Sequence, residues 1–151
     1  MQTRIQWATL VSAVAFAALG ACADETDHTG LTCKTDADCG GTVPNLACDQ
    51  SQVCSDKAMQ RVVHVGWTIN GSSASGATCT PIDHLTIEFT NDDGSIKFGF
   101  DPVPCTAGQF PIDKMPIAVI KAKITGVKTA GGMLVGESFI DGGGNVSIDI
   151  K

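Results

Sequence analysis

The chain has 151 residues and a formal net charge of −6, ten Lys and Arg standing against sixteen Asp and Glu. That balance disfavours nucleic acid as a partner, because phosphate binding needs a basic stripe that displaces counterions, and it disfavours adhesion of the protein surface to anionic lipid heads. Tyr is absent, while Gly, Ser, Thr and Val abound, a composition suited to short strands joined by tight turns.

Met1 to Gln6 carries one positive charge, Arg4, and an uncharged, mostly apolar stretch follows from Trp7 to Leu19. About 13 residues are too few to span a hydrocarbon core, which takes roughly 20, but they match the apolar region of a signal peptide. Leu19-Gly20-Ala21-Cys22 then resembles the bacterial lipobox. The resemblance implies cleavage after Ala21, diacylglycerol on the Cys22 sulfur and acylation of the new amino group, so palmitate-type chains tie the mature protein to a membrane. Two or more chains are needed for stable anchoring, at about 0.8 kcal/mol per buried methylene. Ala23, rather than Asp, follows the cysteine. Among bacterial lipoproteins this resembles the default for the outer membrane, with a periplasmic or surface face. Without residues 1–21 the mature chain keeps nine Lys and Arg against sixteen Asp and Glu.

Seven cysteines is an odd number for an exported protein, and assigning Cys22 to lipid leaves six: Cys33, Cys39, Cys48, Cys54, Cys79 and Cys105. Six suffice for three disulfides in an oxidising compartment. Four of them form C-x5-C-x8-C-x5-C between Cys33 and Cys54, in a segment whose apolar residues are few beyond Val43, Leu46 and Val53. No apolar core can hold such a segment, so disulfides must, and three connectivities stay open. Zinc is the rival reading, but structural zinc sites pair cysteines two to four residues apart and the compartment favours oxidation. Calcium on Asp36, Asp38 and Asp49 lacks the twelve-residue loop with its closing Glu, and acidic turns are the plainer reading. The T-D-A-D-C run and the later C-x5-C resemble the short cysteine-rich segments of myxobacterial-type lipoproteins and, more distantly, dickkopf-like modules.

From Arg61 onward the chain reads as strands. Val63, Val65, Trp67 and Ile69 share one face against His64 and Thr68; Leu85, Ile87 and Phe89 alternate with His84, Thr86 and Glu88. Ile96, Phe98 and Phe100 alternate with Lys97 and Gly99, and Val146, Ile148 and Ile150 with Ser147 and Asp149. A fifth strand is expected from Ile117 to Ile124, with Ala118, Ile120, Ala122 and Ile124 facing inward. A sixth is expected from Met133 to Ile140, its register open. Turn signals separate them at Asn70-Gly71, Asn91 to Gly94, Gly131-Gly132 and Asp141 to Gly144. This spacing predicts an all-β fold, an antiparallel β-sandwich of about seven strands, preceded by a signal peptide and a small disulfide-stapled loop module.

The expected organisation is a signal peptide over 1–21, an acidic tether over 22–32, a cysteine-rich module over 33–54, a connector over 55–60 and the sandwich over 61–151. The polar connector and the small apolar surface of the first module imply neighbours with few shared contacts. Trp67, Cys79, Phe98, Pro102-Val103-Pro104-Cys105, Gly108 and Pro116 resemble the sandwich domain of myxobacterial-type lipoproteins, whose fold is similar to transthyretin-like and immunoglobulin-like modules. A Cys79–Cys105 bond would staple one end of it, and all six cysteines are expected to pair within their own modules.

The residues offer little for catalysis or for a cofactor. His28 sits in the tether, and the alternation places His64 and His84 on outward faces. A metal pair of the two, with Glu88, would require neighbouring strands. No nucleophile elbow, phosphate-binding glycine loop or zinc-protease helix is present, and Gly142 to Gly144 reads as a hairpin. Asn70-Gly71-Ser72 and Asn145-Val146-Ser147 match the glycosylation pattern, against which the lipobox argues for a bacterial host. Two function classes follow. One is a non-enzymatic binding or structural module for an envelope protein or glycan. The other is an accessory envelope enzyme or metal-binding protein built from Asp92, Asp93, Asp101 and Asp113 or from the strand histidines, and convergence of those groups in one concavity decides between them.

Overall fold

The computed structural model describes residues 29–40 and 45–151. The expected signal peptide, Cys22 and His28 lie outside the described residues. The cysteine-rich segment is a hairpin of β1 (Leu46–Cys48) and β2 (Cys54–Asp56), with Cys48 opposite Cys54, faced by a one-turn 3-10 helix at Asp36–Cys39. Disulfides join Cys33 to Cys48 and Cys39 to Cys54, and these four cysteines are themselves the buried cluster, with Leu46 packed against it. Carboxylates hold its turns. Asp49, only 8% exposed, accepts hydrogen bonds from the Ser51 and Val53 amides and the Ser55 hydroxyl. Asp38 accepts from the amides of Lys34 and Thr35, and Asp36 from that of Cys48. All three acids of the calcium reading are thus engaged by the segment's own backbone.

The rest folds as the all-β sandwich that the alternation predicts. One sheet contains β3 (Gln60–Ile69), the short β4 (Ser72–Ser73), β7 (Gln109–Pro116) and β10 (Asn145–Ile150); the other runs β6 (Lys97–Val103), β5 (Ile82–Thr90), β8 (Lys121–Lys128), β9 (Met133–Phe139). Inward residues of both sheets interdigitate as one core, in which Val63, Val65, Leu85, Ile87, Phe89, Ile124 and Ile150 are completely buried. Every neighbouring pair is antiparallel except β3 with β10, which run parallel from His64 opposite Asn145 to Ile69 opposite Ile150. That pair is parallel because β10 enters the first sheet from the end of β9 in the second, and its direction is set by that crossing. A single helical turn, α1 (Gly76–Cys79), carries Cys79 to its bond with Cys105, whose carbonyl also accepts the buried Trp67 indole N–H at 2.9 Å. All three disulfides therefore fall inside the groups expected.

Two segments depart from the sequence reading. The fifth strand begins at Lys121: Ala118 is exposed, and Val119, in a turn closed by its amide on the Pro116 carbonyl, supplies the buried side chain. β7 was not foreseen, because Pro111 and Pro116 speak against a central strand. It lies at its sheet's edge with one neighbour, β3, where a missing N–H is tolerated, and it buries Ile112 and Met115. The two parts of the chain meet at a polar seam. Lys114 Nζ lies 2.7 Å from Asp36, the Gln50 amide and side chain donate to the Lys114 and Asp113 carbonyls, and the Gln60 side chain donates to the Ala47 carbonyl.

Candidate functional site

The sandwich separates the residues singled out for chemistry. His64 projects from β3 and His84 from β5, on the outer faces of opposite sheets, so the two imidazoles cannot share an ion. His84 instead lies between carboxylates, Nδ1 at 2.8 Å from Asp83 and Nε2 at 3.4 Å from Asp101, which also accepts the Thr86 hydroxyl. Asp92 and Asp93 occupy the β5–β6 turn, where Asp93 accepts the Ser95 amide, and Asp113 lies on β7 at the seam. These acids do not converge. Among the described residues, the group of three whose ligand atoms come within 4.8 Å of one another is Cys33, Cys39 and Cys54, and their sulfurs are bonded as disulfides.

Two outer faces remain. On the outer face of the β3–β7–β10 sheet a groove of about 370 Å³ is lined by His64, Gln109, Asp141, Asn145 and Ser147. Gly66 forms part of it because a side chain there would enter open space, meeting nothing nearer than 3.9 Å. Asp141 holds this rim: hydrogen bonds from the Asn145 and Gly143 amides keep its carboxyl below the usual range, with help from the Arg61 charge.

The outer face of β6, β5, β8 and β9 carries a different chemistry. Strand register sets Phe139, Lys121, Thr90 and Lys97 in one row across the sheet, and Glu137, Lys123, Glu88 and Gly99 in the next. Below them come Val135, Thr125 and Thr86, then Met133, Val127 and His84. The β9 end is apolar and exposed, with Met133 at 66%, Val135 at 41% and Phe139 at 65%. Lys121 Nζ sits 5.2 Å from the Phe139 ring centroid, a cation over the negative face of the ring. Lys97 hydrogen-bonds Glu88 at 2.9 Å and lowers its pKa, with the charges of Lys97 and Lys123 adding to the effect. Met133 and Val135 are adjacent on this face and Phe139 lies beyond the exposed Glu137, so the outer edge of β9 shows water apolar surface interrupted by one carboxylate, which a partner could cover. The sequence hid this surface because the register of 133–140 was open. Its signal was Gly136: a Cβ there would stand 2.6 Å from the Asp149 carbonyl, so glycine faces β10 and its odd-numbered neighbours face out. The face offers apolar contact, charge and hydroxyls.

No protein-family profile and no curated protein matches the chain. Among solved structures it is similar to a candidate cell adhesion protein from Bacteroides eggerthii DSM 20697, with 14% identity and a TM-score of 0.40 over 61% of this chain. The similarity spans 39% of that protein's length. No helix among the described residues is long and apolar enough to cross a membrane, and the three disulfides fit an oxidising compartment.

Proposed function

We propose that this chain is an exported, lipid-anchored envelope protein whose sandwich is a non-enzymatic binding module, with the outer face of β6, β5, β8 and β9 as its recognition surface. The observation that carries the reading is the exposed apolar surface of Met133, Val135 and Phe139 beside Lys121 and Lys123. The lipobox residues Leu19 to Cys22 support the anchor, and Ala23 supports the outer membrane. The resemblance of Cys33 to Cys54 and of the sandwich to myxobacterial-type lipoproteins supports the same setting, with 33–54 and 61–151 as its two modules. The partner is an envelope protein or glycan; the acidic balance speaks against nucleic acid.

Two measurements test this. Cys22→Ser should abolish incorporation of labelled palmitate and leave an uncleaved precursor, and unchanged labelling refutes the anchor. Immobilised wild-type protein should retain an envelope component that Phe139→Ser and Lys121→Glu variants lose at least tenfold. Equal retention by all three removes the face of β6, β5, β8 and β9 as the site.

A further inference from the structure

A sandwich has four open sheet edges, and three of them are managed here. Along the side shared by β9 and β10, Val135 and Lys151 exchange backbone hydrogen bonds at 2.9 and 3.3 Å, and Gly136 lets β10 approach. On β7, Pro111 has no N–H, and Gln50 takes the carbonyls of Asp113 and Lys114. β6 is different. The Thr90 carbonyl accepts from Ile120, on the β8 side, and the Asn91 amide donates to the Ile96 carbonyl. By antiparallel alternation Phe98 and Phe100 then exchange bonds with Phe89 and Ile87 of β5, while Lys97 and Gly99 turn their N–H and C=O groups away from the sheet. Among the described strands β6 pairs with β5 alone, so those groups point to its open side. Two donors and two acceptors in a straight row are matched by another extended backbone.

The side chains of this edge say which one. Lys97-Phe98-Gly99-Phe100-Asp101 is chemically self-complementary when reversed. We propose that β6 pairs antiparallel with β6 of a second copy, about a twofold axis at Gly99. Gly99 then stands opposite Gly99, so neither strand holds the other off. On the inner face Phe98 meets Phe100 of the other copy, twice, extending the aromatic cluster that Phe98 and Phe100 already form with Phe89 and Phe110. On the outer face Lys97 meets Asp101, twice, and both side chains are more than half exposed in the single chain. A slip of two residues either way leaves Lys97 or Asp101 opposite Gly99 and breaks the charge pairing, so one register is selected. Pro102 and Pro104 lack N–H groups and end the pairing just beyond Asp101. The groove of about 400 Å³ between Ser95 to Phe98 and the Gln50 to Gln52 loop gives that end of the second strand room to leave. The result is an isologous dimer with one continuous eight-stranded sheet, whose two recognition faces point the same way.

Lys97 and Asp101 of one chain lie four residues apart on an extended strand, about 13 Å, too far for a direct amide. A zero-length carbodiimide linkage between them must therefore join two copies. Cells exporting the full chain, treated with carbodiimide, should yield a dimer whose digest contains the Lys97–Asp101 linked peptides. Lys97→Asp or Asp101→Lys alone should lower the dimer yield at least tenfold, and the double exchange should restore dimers in the sedimentation of detergent-solubilised full chain. Retention of all three disulfides in each variant, by non-reducing mass spectrometry, confirms that it folds. The proposal is overturned if the wild type sediments as a monomer, if the single variants dimerise as well as the wild type, if the double exchange fails to restore pairing, or if Lys97 links to a different protein.

Discussion

The cysteine-rich segment and the sandwich reach an ordered state by different means. In the first, the buried cluster consists of four half-cystines with Leu46 against them, and the turns are tied by the carboxylates of Asp36, Asp38 and Asp49. In the second, twenty-one buried residues drawn from both sheets form one core, and only Cys79 and Cys105 among them are cysteines. Twenty-odd residues cannot bury enough apolar surface to offset their conformational entropy, whereas ninety can. Covalent closure of short loops and burial of large side chains are thus alternative solutions to one entropic problem, and the seam between them is polar because the first region has no apolar face left to share.

The sharpest way to break this comparison is reduction. Each disulfide of the first region closes a loop with a sequence separation of 15 and contributes about 3 kcal/mol in the chain-entropy model. With no core behind them, their loss should abolish amide protection throughout Leu46 to Asp56. The sandwich loses one bond, roughly 3 to 4 kcal/mol for its longer loop, and β5 and β8 should stay protected. Hydrogen exchange with and without reductant measures both; simultaneous loss in β5 and β8 would show that the sandwich too depends on its cysteines.

The converse test removes core rather than cross-link. Phe89 is fully buried and touches both Phe98 and Phe100. Phe89→Ala should cost about 3 to 5 kcal/mol in urea unfolding of the sandwich, while hydrogen exchange in Cys48 to Cys54 remains as in the wild type. A loss of protection there would mean that the hairpin leans on the sandwich core through the seam.

Acid should produce the smallest effect and act on both regions. Asp149 is held below its ordinary value of 3.8 by the Gly71 amide and the Thr68 hydroxyl, and Asp36 by the hydrogen bond from Lys114. Glu88 is held below 4.5 by Lys97. A carboxyl whose folded pKa is depressed contributes stability that is present above its unfolded value and lost as pH falls through the folded one. The urea midpoint should therefore stay level from pH 7 to about 5 and fall below about 4. Asp149→Asn should make that fall shallower, and an identical pH profile in the variant would remove Asp149 from the account.

Much of the architecture was legible in the chain because a strand's side chains alternate with period two. Val63 to Ile69, Leu85 to Phe89 and Val146 to Ile150 each announced their buried face, and the composition of Cys33 to Cys54 announced that covalent bonds would replace a core. Period two says nothing, however, about which strands become neighbours or in which direction, so the parallel pairing of β3 with β10 and the placement of His64 and His84 on opposite faces came from the crossing of the chain between sheets. Local rules also failed where tertiary position relaxed them. Pro111 and Pro116 are accommodated because β7 is an edge. The exposed apolar surface of β9 follows from Gly136 facing a backbone that approaches too closely for any side chain. The sequence by itself determined the fold class, the cysteine groups and most of the core, since these depend on residue type and spacing along the chain. Only the tertiary structure decided the disulfide partners within Cys33 to Cys54, the exposed apolar surface of β9 and the free edge of β6, since these depend on which segments meet across space.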